Sequence, residues 1–524
     1  MAYTSYVYLI CFLGITFLLY TVFPKKYKWV VLLSSSYLFY MVSSRIWLVV
    51  FLFITTLSVY LGAIWIDKIN DLFQCVKKSL DRQEKKVFKE KLLVQKKIVI
   101  FIMLCINIGI LAILKYSNFF IDILNFSLLD HIGMHIHVLK LFLPLGISFY
   151  TLQAISYVID VYRGKYKADY KLSRVALFLS FFPTIVEGPI ARYDQVAHQL
   201  YEGHEFHYEN LTYGVQLILW GMFKKIVIAD RANMLVNQVF NNHQDYQGLA
   251  TIIAIIFYTI QLYTEFSGCM DIVRGSAQIF SVNLPENFRQ PFFAKSINDF
   301  WQRWHITLGA WLRDYVFYSV SLSAPFKRFN QFVKKYNHDY LSKLLPAATA
   351  LFFVWICNGL WHGASIKYVM YGMYYYIIMI LGMFLEPVFI KIINVLHIKK
   401  EAKYFQLFQI LRTIVIVNIG MLIFRADTLG IAYDMFISCF RKANLDMLMN
   451  LGLSIQDIWV VVIGVVIVFI SSLFKERNVH IRETVGKWHI VPRWSFYIVG
   501  LFIVIIFGAY GRGYDIVSFI YAQF

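Results

Sequence analysis

Long apolar runs return from one end of this chain to the other, separated by short polar gaps. "IVIFIMLCINIGILAIL" (98–114) and "DIWVVVIGVVIVFISSLF" (457–474) are two of them. About 20 mostly apolar residues cross a bilayer as a helix, and fewer suffice where the end residues snorkel. Counting such runs predicts roughly 11 to 13 helices that cross or re-enter the membrane, hence an all-α polytopic membrane protein. Composition agrees: 59% of the residues are hydrophobic and 15% charged, too few charges for a water-soluble chain of 524 residues.

The net charge of +19 does not point to nucleic acid, because the cations are gathered into the gaps. They cluster at 25–28, 76–97, 162–174, 327–343, 397–403 and 475–487. The alternating gaps, "SNFFIDILNFSLLDHIGMHIH" and "ANLDMLMNLGLSIQD", carry little or no Lys and Arg. Positive-inside bias places the first set in the cytosol and the second outside. Anionic membrane lipids can profit from the basic gaps. "MAYTSYVYLICFLGITFLLYTVFPKKYK" lacks a basic leader and a small-residue cleavage site. It reads as a first span with its N-terminus outside. The six cysteines (11, 75, 105, 269, 357, 439) form no C-x-x-C and read as buried, reduced thiols.

Three regions follow: helices of a scaffold at 1–140, a core at 141–370 and further scaffold helices at 371–524. The loop 76–97, with nine basic and three acidic residues, reads as a cytosolic amphipathic helix. In the middle region Pro, Gly and charges break the apolar segments, as in "FFPTIVEGPIARY" and "PENFRQPFF". Such backbone survives at membrane depth only inside protein or along a wet cavity, so the functional site is expected there.

Of thirteen histidines, only His305 and His362 lie among tryptophans in strongly apolar or amphipathic segments. Imidazole is the side chain best suited to move a proton near neutral pH. The segment 299–315 reads as one helix. Asp299, Arg303 and Thr307 share one face of it, beside a stripe of Trp301, Trp304, His305, Leu308, Trp311, Leu312 and Tyr315. It serves either as an interfacial helix anchored by tryptophans or as the place where His305 meets a cytosolic pocket, with Arg303 and Arg313 turned to phosphate groups. His131, His135 and His137 sit in a short outer loop without a fourth ligand, and no metal site is expected. Nucleotide-loop and serine-hydrolase signatures are absent.

Four stretches, "LPLGISFYTLQAISYVIDVYRG" (143–164), "FFPTIVEGPIARY" (181–193), "PENFRQPFFAKSINDFWQRWHITLGAWLRDY" (285–315) and "NGLWHGAS" (358–365), resemble the membrane-bound O-acyltransferase family. The nearest branch is the bacterial one that O-acetylates alginate. The resemblance implies a helical fold around a thin partition with a central catalytic tunnel. The acyl donor, acetyl-CoA in this branch, would arrive from the cytosol and act as substrate, with no bound cofactor. The acceptor, a polysaccharide, would approach from outside, and an SGNH-like extracellular transferase would be the partner. A bacterial cytoplasmic membrane is the implied location. His362 matches the family's catalytic histidine and His305 its second one.

Three departures stand out. Glu265 replaces the family's usual Asp, "VFYSVSLS" follows "WLRDY", and "YGMYYY" (371–376) replaces a second histidine-bearing motif. The last two lean toward the branch that transfers D-alanine from a carrier protein to teichoic acid, which remains the alternative. Acyl transfer from a thioester needs a base for the hydroxyl and a donor for the oxyanion. His362 is expected to be that base. Asn358, one turn earlier, steadies the oxyanion or orients the ring, and His305 positions the donor or relays the proton. Trp361 and Trp304 are expected to wall the site, with Asp299 beside Arg303. Arg303, Arg313, Lys224 and Lys225 are the candidates for CoA phosphates. A transporter or flippase, or a scaffold without catalysis, are the rival classes.

Overall fold

The computed structural model describes residues 1–336, 339–442 and 445–510. Among them the regular structure is helical, apart from a single isolated bridge between Phe288 and Trp304. Among the described residues, nine helices are long and apolar enough to cross a membrane, from Ile46–Val76 to Ile490–Phe507. Shorter apolar helices, Val7–Val22 and Leu429–Ser438, accompany them. His338 and the start of "ANLDM" lie outside the described residues.

The chain packs as two units, Met1–Val215 with Val273–Pro285, and Gln216–Ile272 with Glu286–Phe524. The stretch 141–370 therefore contributes to both. In the first unit, the irregular segment after Ser180 is buried, and its backbone finds partners among side chains. The Phe182 N–H donates to Ser36 Oγ at 3.1 Å, and its carbonyl accepts from the Tyr3 hydroxyl at 2.9 Å. Phe12 and Phe39 close around the Phe182 ring. A Cβ on Gly146, whose φ is +70°, would fall 1.7 Å from the Ile185 carbonyl oxygen, so only glycine fits that corner.

The basic stretch 76–97 is not a separate surface helix. Asp81 and Glu84 form a capping box that opens a helix running without a break from Arg82 to Leu111. No Gly or Pro intervenes between the basic turns and the apolar ones, so nothing stops propagation. The cysteines form no disulfide among the described residues, but Cys11, Cys75 and Cys105 are exposed, Cys357 and Cys439 are half-buried, and Cys269 is buried.

Mostly in the second unit, α1 (Tyr208–Met222) passes through a π-helical turn, Phe223–Ala229, and α2 spans Leu249–Ile279. Two short helices follow, α3 (Ile297–Arg303) and α4 (Ile306–Leu312). Then come α5 (Asp339–His362), α6 (Ile366–Phe384), α7 (Lys403–Arg425) and α8 (Ile455–Glu476). Helices α5 and α6 touch backbone to backbone. A Cβ on Gly359 would lie 2.4 Å from the Tyr368 carbonyl oxygen, and one on Gly372 2.3 Å from that of Trp355. Gly363 sits equally close to the Tyr368 ring. The glycines of "NGLWHGAS" thus admit the next helix and fix where His362 stands.

Gly372→Ala should destabilise the protein by about 1–3 kcal/mol, the usual cost of overpacking. Gly382→Ala, with nothing within 4 Å of its added carbon, should leave the melting temperature unchanged. Thermal melts of the two variants in detergent make the comparison.

Candidate active site

His362 closes α5 and is 3% exposed; Asn358, one turn earlier, is 6% exposed. Spacing i, i+4 puts both on one face. The Asn358 Oδ1 atom is buried and accepts no hydrogen bond among the described residues. The His362 ring meets Phe424 of α7 edge-on at 5.2 Å and Tyr371 of α6 at 5.7 Å. Three helices therefore fix one imidazole.

His305 is held by a different device. The expected single helix over 299–315 is two helices, α3 and α4, broken at Trp304 and His305. A short irregular segment captures the backbone at the break. The Arg289 N–H donates to the Arg303 carbonyl at 2.9 Å, and the Ile306 N–H to the Asn287 carbonyl at 3.0 Å. Between them lies the Phe288–Trp304 bridge. His305 turns the corner at φ +49°, in the left-handed region that non-glycine residues rarely enter. No Gly or Pro marks the break, because residues 287–289 cause it from outside the helix. Thr307 consequently leaves the Asp299–Arg303 face and bonds Asn287 instead.

Asn287 is the residue that sequence reasoning missed. It is 1% exposed, and its Oδ1 accepts from the Thr307 N–H at 3.1 Å and the Thr307 hydroxyl at 2.9 Å. The same oxygen lies 3.2 Å from His305 Nδ1. The available signal was a polar run, "PENFRQP", ahead of an apolar one.

Trp361 joins the two imidazoles. Its ring centroid is 5.3 Å from that of His305 and 5.1 Å from that of His362. Phe266 of α2 covers the other side of His305 at 4.8 Å.

Aromatic contacts give the depth of this segment. Trp301 packs on Trp355 at 5.1 Å and on Tyr375 at 4.8 Å, while His305 packs on Trp361. Residues 301 to 305 therefore climb alongside α5, which rises about 9 Å between 355 and 361. Further back, the Lys295 carbonyl accepts from Arg412, midway along α7. The segment thus runs along α5 and carries His305 to the level of its His362 end.

Each expected phosphate ligand has a carboxylate neighbour. Arg303 Nε donates to Asp299 at 2.7 Å, and its NH1 reaches both oxygens of Glu476 at 3.0 Å. Lys224 meets Asp271 at 2.6 Å and Ser267 at 3.0 Å. Lys225 lies 2.8 Å from both Glu265 and Asp230. The lysines occupy the π-helical turn, where α1 meets α2 so closely that a Cβ on Gly221 would be 2.5 Å from the Gly268 carbonyl oxygen. Glu265, which departs from the family's Asp, is the residue that reaches Lys225. Arg313 pairs with Asp314 at 3.1 Å and is the most exposed of the four cations. Trp304 packs among Phe288, Phe292 and Phe300 rather than at an opening.

Comparison with known proteins agrees with the geometry. Residues 165–424 match the model of the membrane-bound O-acyltransferase family. The probable alginate O-acetylase AlgI of Pseudomonas aeruginosa is 30% identical over 442 residues, covering 84% of this chain and 75% of that protein. The peptidoglycan O-acetyltransferase of Helicobacter pylori is 30% identical over 51% of this chain and 52% of its own length. The teichoic acid D-alanyltransferase of Bacillus subtilis is 30% identical over 46% of this chain and 59% of its own length.

Arg303 anchors α3 to α8 and thereby sets the approach to His305. Arg303→Met should lower the melting temperature in detergent, because it leaves Asp299 and Glu476 facing each other without their cation. The double variant Arg303→Met/Glu476→Leu should recover part of the loss. Strict additivity of the two single changes would contradict the coupling.

Proposed function

The chain belongs to the membrane-bound O-acyltransferase family, and from that premise we propose that it moves an acetyl group from cytosolic acetyl-CoA to hydroxyls of an extracytoplasmic polysaccharide. Trp361, whose ring touches both His305 and His362, carries this reading: two proton-moving groups gather at one ring.

Neutral His362 takes the proton of the acceptor hydroxyl. The oxygen attacks the thioester carbon, the C–S bond breaks, and the CoA thiolate leaves and receives the proton. The histidine pair returns to its starting state. A base of this kind contributes about 10²–10⁴-fold. Asn358 lies on the His362 face and serves the oxyanion, a contribution of about 10²–10³-fold where such a donor is removed. His305 faces the donor. Arg313, with its exposed guanidinium, is the favoured contact for CoA phosphate. Arg303, Lys224 and Lys225 serve the donor through the framework that their carboxylate pairs hold together. An extracytoplasmic partner, SGNH-like in the family's exopolysaccharide branch, completes delivery to the polymer at the bacterial cytoplasmic membrane.

D-alanyl transfer is the second reading, favoured by the similarity to the Bacillus subtilis D-alanyltransferase and by "VFYSVSLS" after "WLRDY". Deleting the gene should remove polymer O-acetyl groups and leave D-alanine content intact. The opposite outcome selects the D-alanyl reading.

His362→Ala should lower acetyl transfer by about 10²-fold or more while the protein still inserts and binds donor. Labelled acetyl-CoA supplied to nanodiscs, with and without candidate partners, reads both. Turnover equal to wild type would overturn the assignment.

A further inference from the structure

Asn287 has no counterpart in the mechanism above, yet its carboxamide is the best-defined group near either histidine. A backbone N–H can only donate. The Asn287 atom 3.1 Å from the Thr307 N–H is therefore the carbonyl oxygen, which removes the usual ambiguity of amide orientation. The Thr307 hydroxyl, 2.9 Å from the same oxygen, must donate too. His305 Nδ1 also faces that oxygen, at 3.2 Å, and so it carries the proton. The opposite tautomer would press the Nδ1 lone pair against an oxygen that already receives two donors.

We propose that Asn287 is a positioning residue that locks His305 as its Nδ1–H tautomer and makes Nε2 the basic nitrogen of the second histidine. The inference rests on the acyl-transfer reading and assigns a direction within it. His305 enters the cycle as a proton acceptor at Nε2, not as a donor. The proton it takes is the one that His362 has removed from the acceptor hydroxyl, and it passes on to the departing thiolate. Asn287 keeps its own protons throughout. When Nε2 is protonated, the Nδ1–H bond to Oδ1 becomes charge-assisted and needs no rearrangement, because the donor already points at the oxygen. The backbone fixes the ring in place: the Ile306 N–H donates to the Asn287 carbonyl, and Phe266 and Trp361 cover the imidazole faces.

The direct test is ¹⁵N NMR of histidine-labelled full-length protein in nanodiscs, with the His305 signals identified by their loss in His305→Ala. Wild type should show the Nδ1–H tautomer, and an Nε2–H signal overturns the proposal. Asn287→Ala should give mixed tautomers and lower kcat by about 10–100-fold, as lost ligand-orienting partners do, with donor KM unchanged. Asn287→Asp should restore the tautomer and most of kcat. Its carboxylate stabilises the imidazolium and raises the His305 pKa, so the acid limb of the pH–rate profile should move to higher pH. A purely structural Asn287 would lower the melting temperature without changing tautomer or pH profile, which also overturns the proposal. Full activity of His305→Ala would instead remove His305 from the acyl-transfer reading, while the NMR result would still decide the lock.

Discussion

The hydrocarbon core of a bilayer supplies no hydrogen bonds, so every polar group placed at that depth must find its partner in the protein. This constraint explains why the irregular parts of the chain look as they do. The buried segment after Ser180 lends its backbone to Ser36 and Tyr3. The break at Trp304 is bridged by residues 287–289. Lys224 and Lys225 are 4% and 1% exposed and are matched by Asp271, Asp230 and Glu265. An unmatched buried charge costs several kcal/mol, whereas a matched and hydrogen-bonded one is tolerated without adding much stability. These pairs are therefore conditions for placing the helices rather than sources of affinity for a ligand.

The same constraint separates the two histidines by construction. His362 sits on a regular helix end, and its neighbours come from helices whose backbones nearly touch at Gly359 and Gly372. His305 sits at a strained corner whose partners come from an irregular segment. A regular helix can present Asn358 beside His362 through spacing alone. The second imidazole reaches Trp361 from a segment that breaks its direction, and the left-handed residue supplies that turn.

Much of this was legible in the sequence, and what was not follows one rule. Apolar runs and basic gaps expose the spans, because crossing depends on local composition. His362 and Asn358 are legible for the same reason, as neighbours on one turn. Features that depend on distant partners stay hidden. Glu476 lies 173 residues from Arg303, so the arginine reads as a phosphate ligand until its partner is seen. Asn287 lies 18 residues from His305, and the break it imposes at Trp304 and His305 falls on neither Gly nor Pro. The capping box at Asp81 was readable, but the basic turns after it masked the continuity of the helix into the membrane.

Magnitudes show why Asn287, rather than local preference, decides the conformation of His305. A left-handed non-glycine residue costs roughly 1–2 kcal/mol. A buried hydrogen bond contributes about 0.5–1.5 kcal/mol. Asn287 makes three such bonds through Oδ1 and one through its carbonyl, all to residues 305–307. Together they exceed the strain, and losing the side chain would remove three of them at once. The corner and the orientation of the imidazole are thus one cooperative unit. A chain that keeps the histidine but loses the asparagine would keep a base and lose its aim.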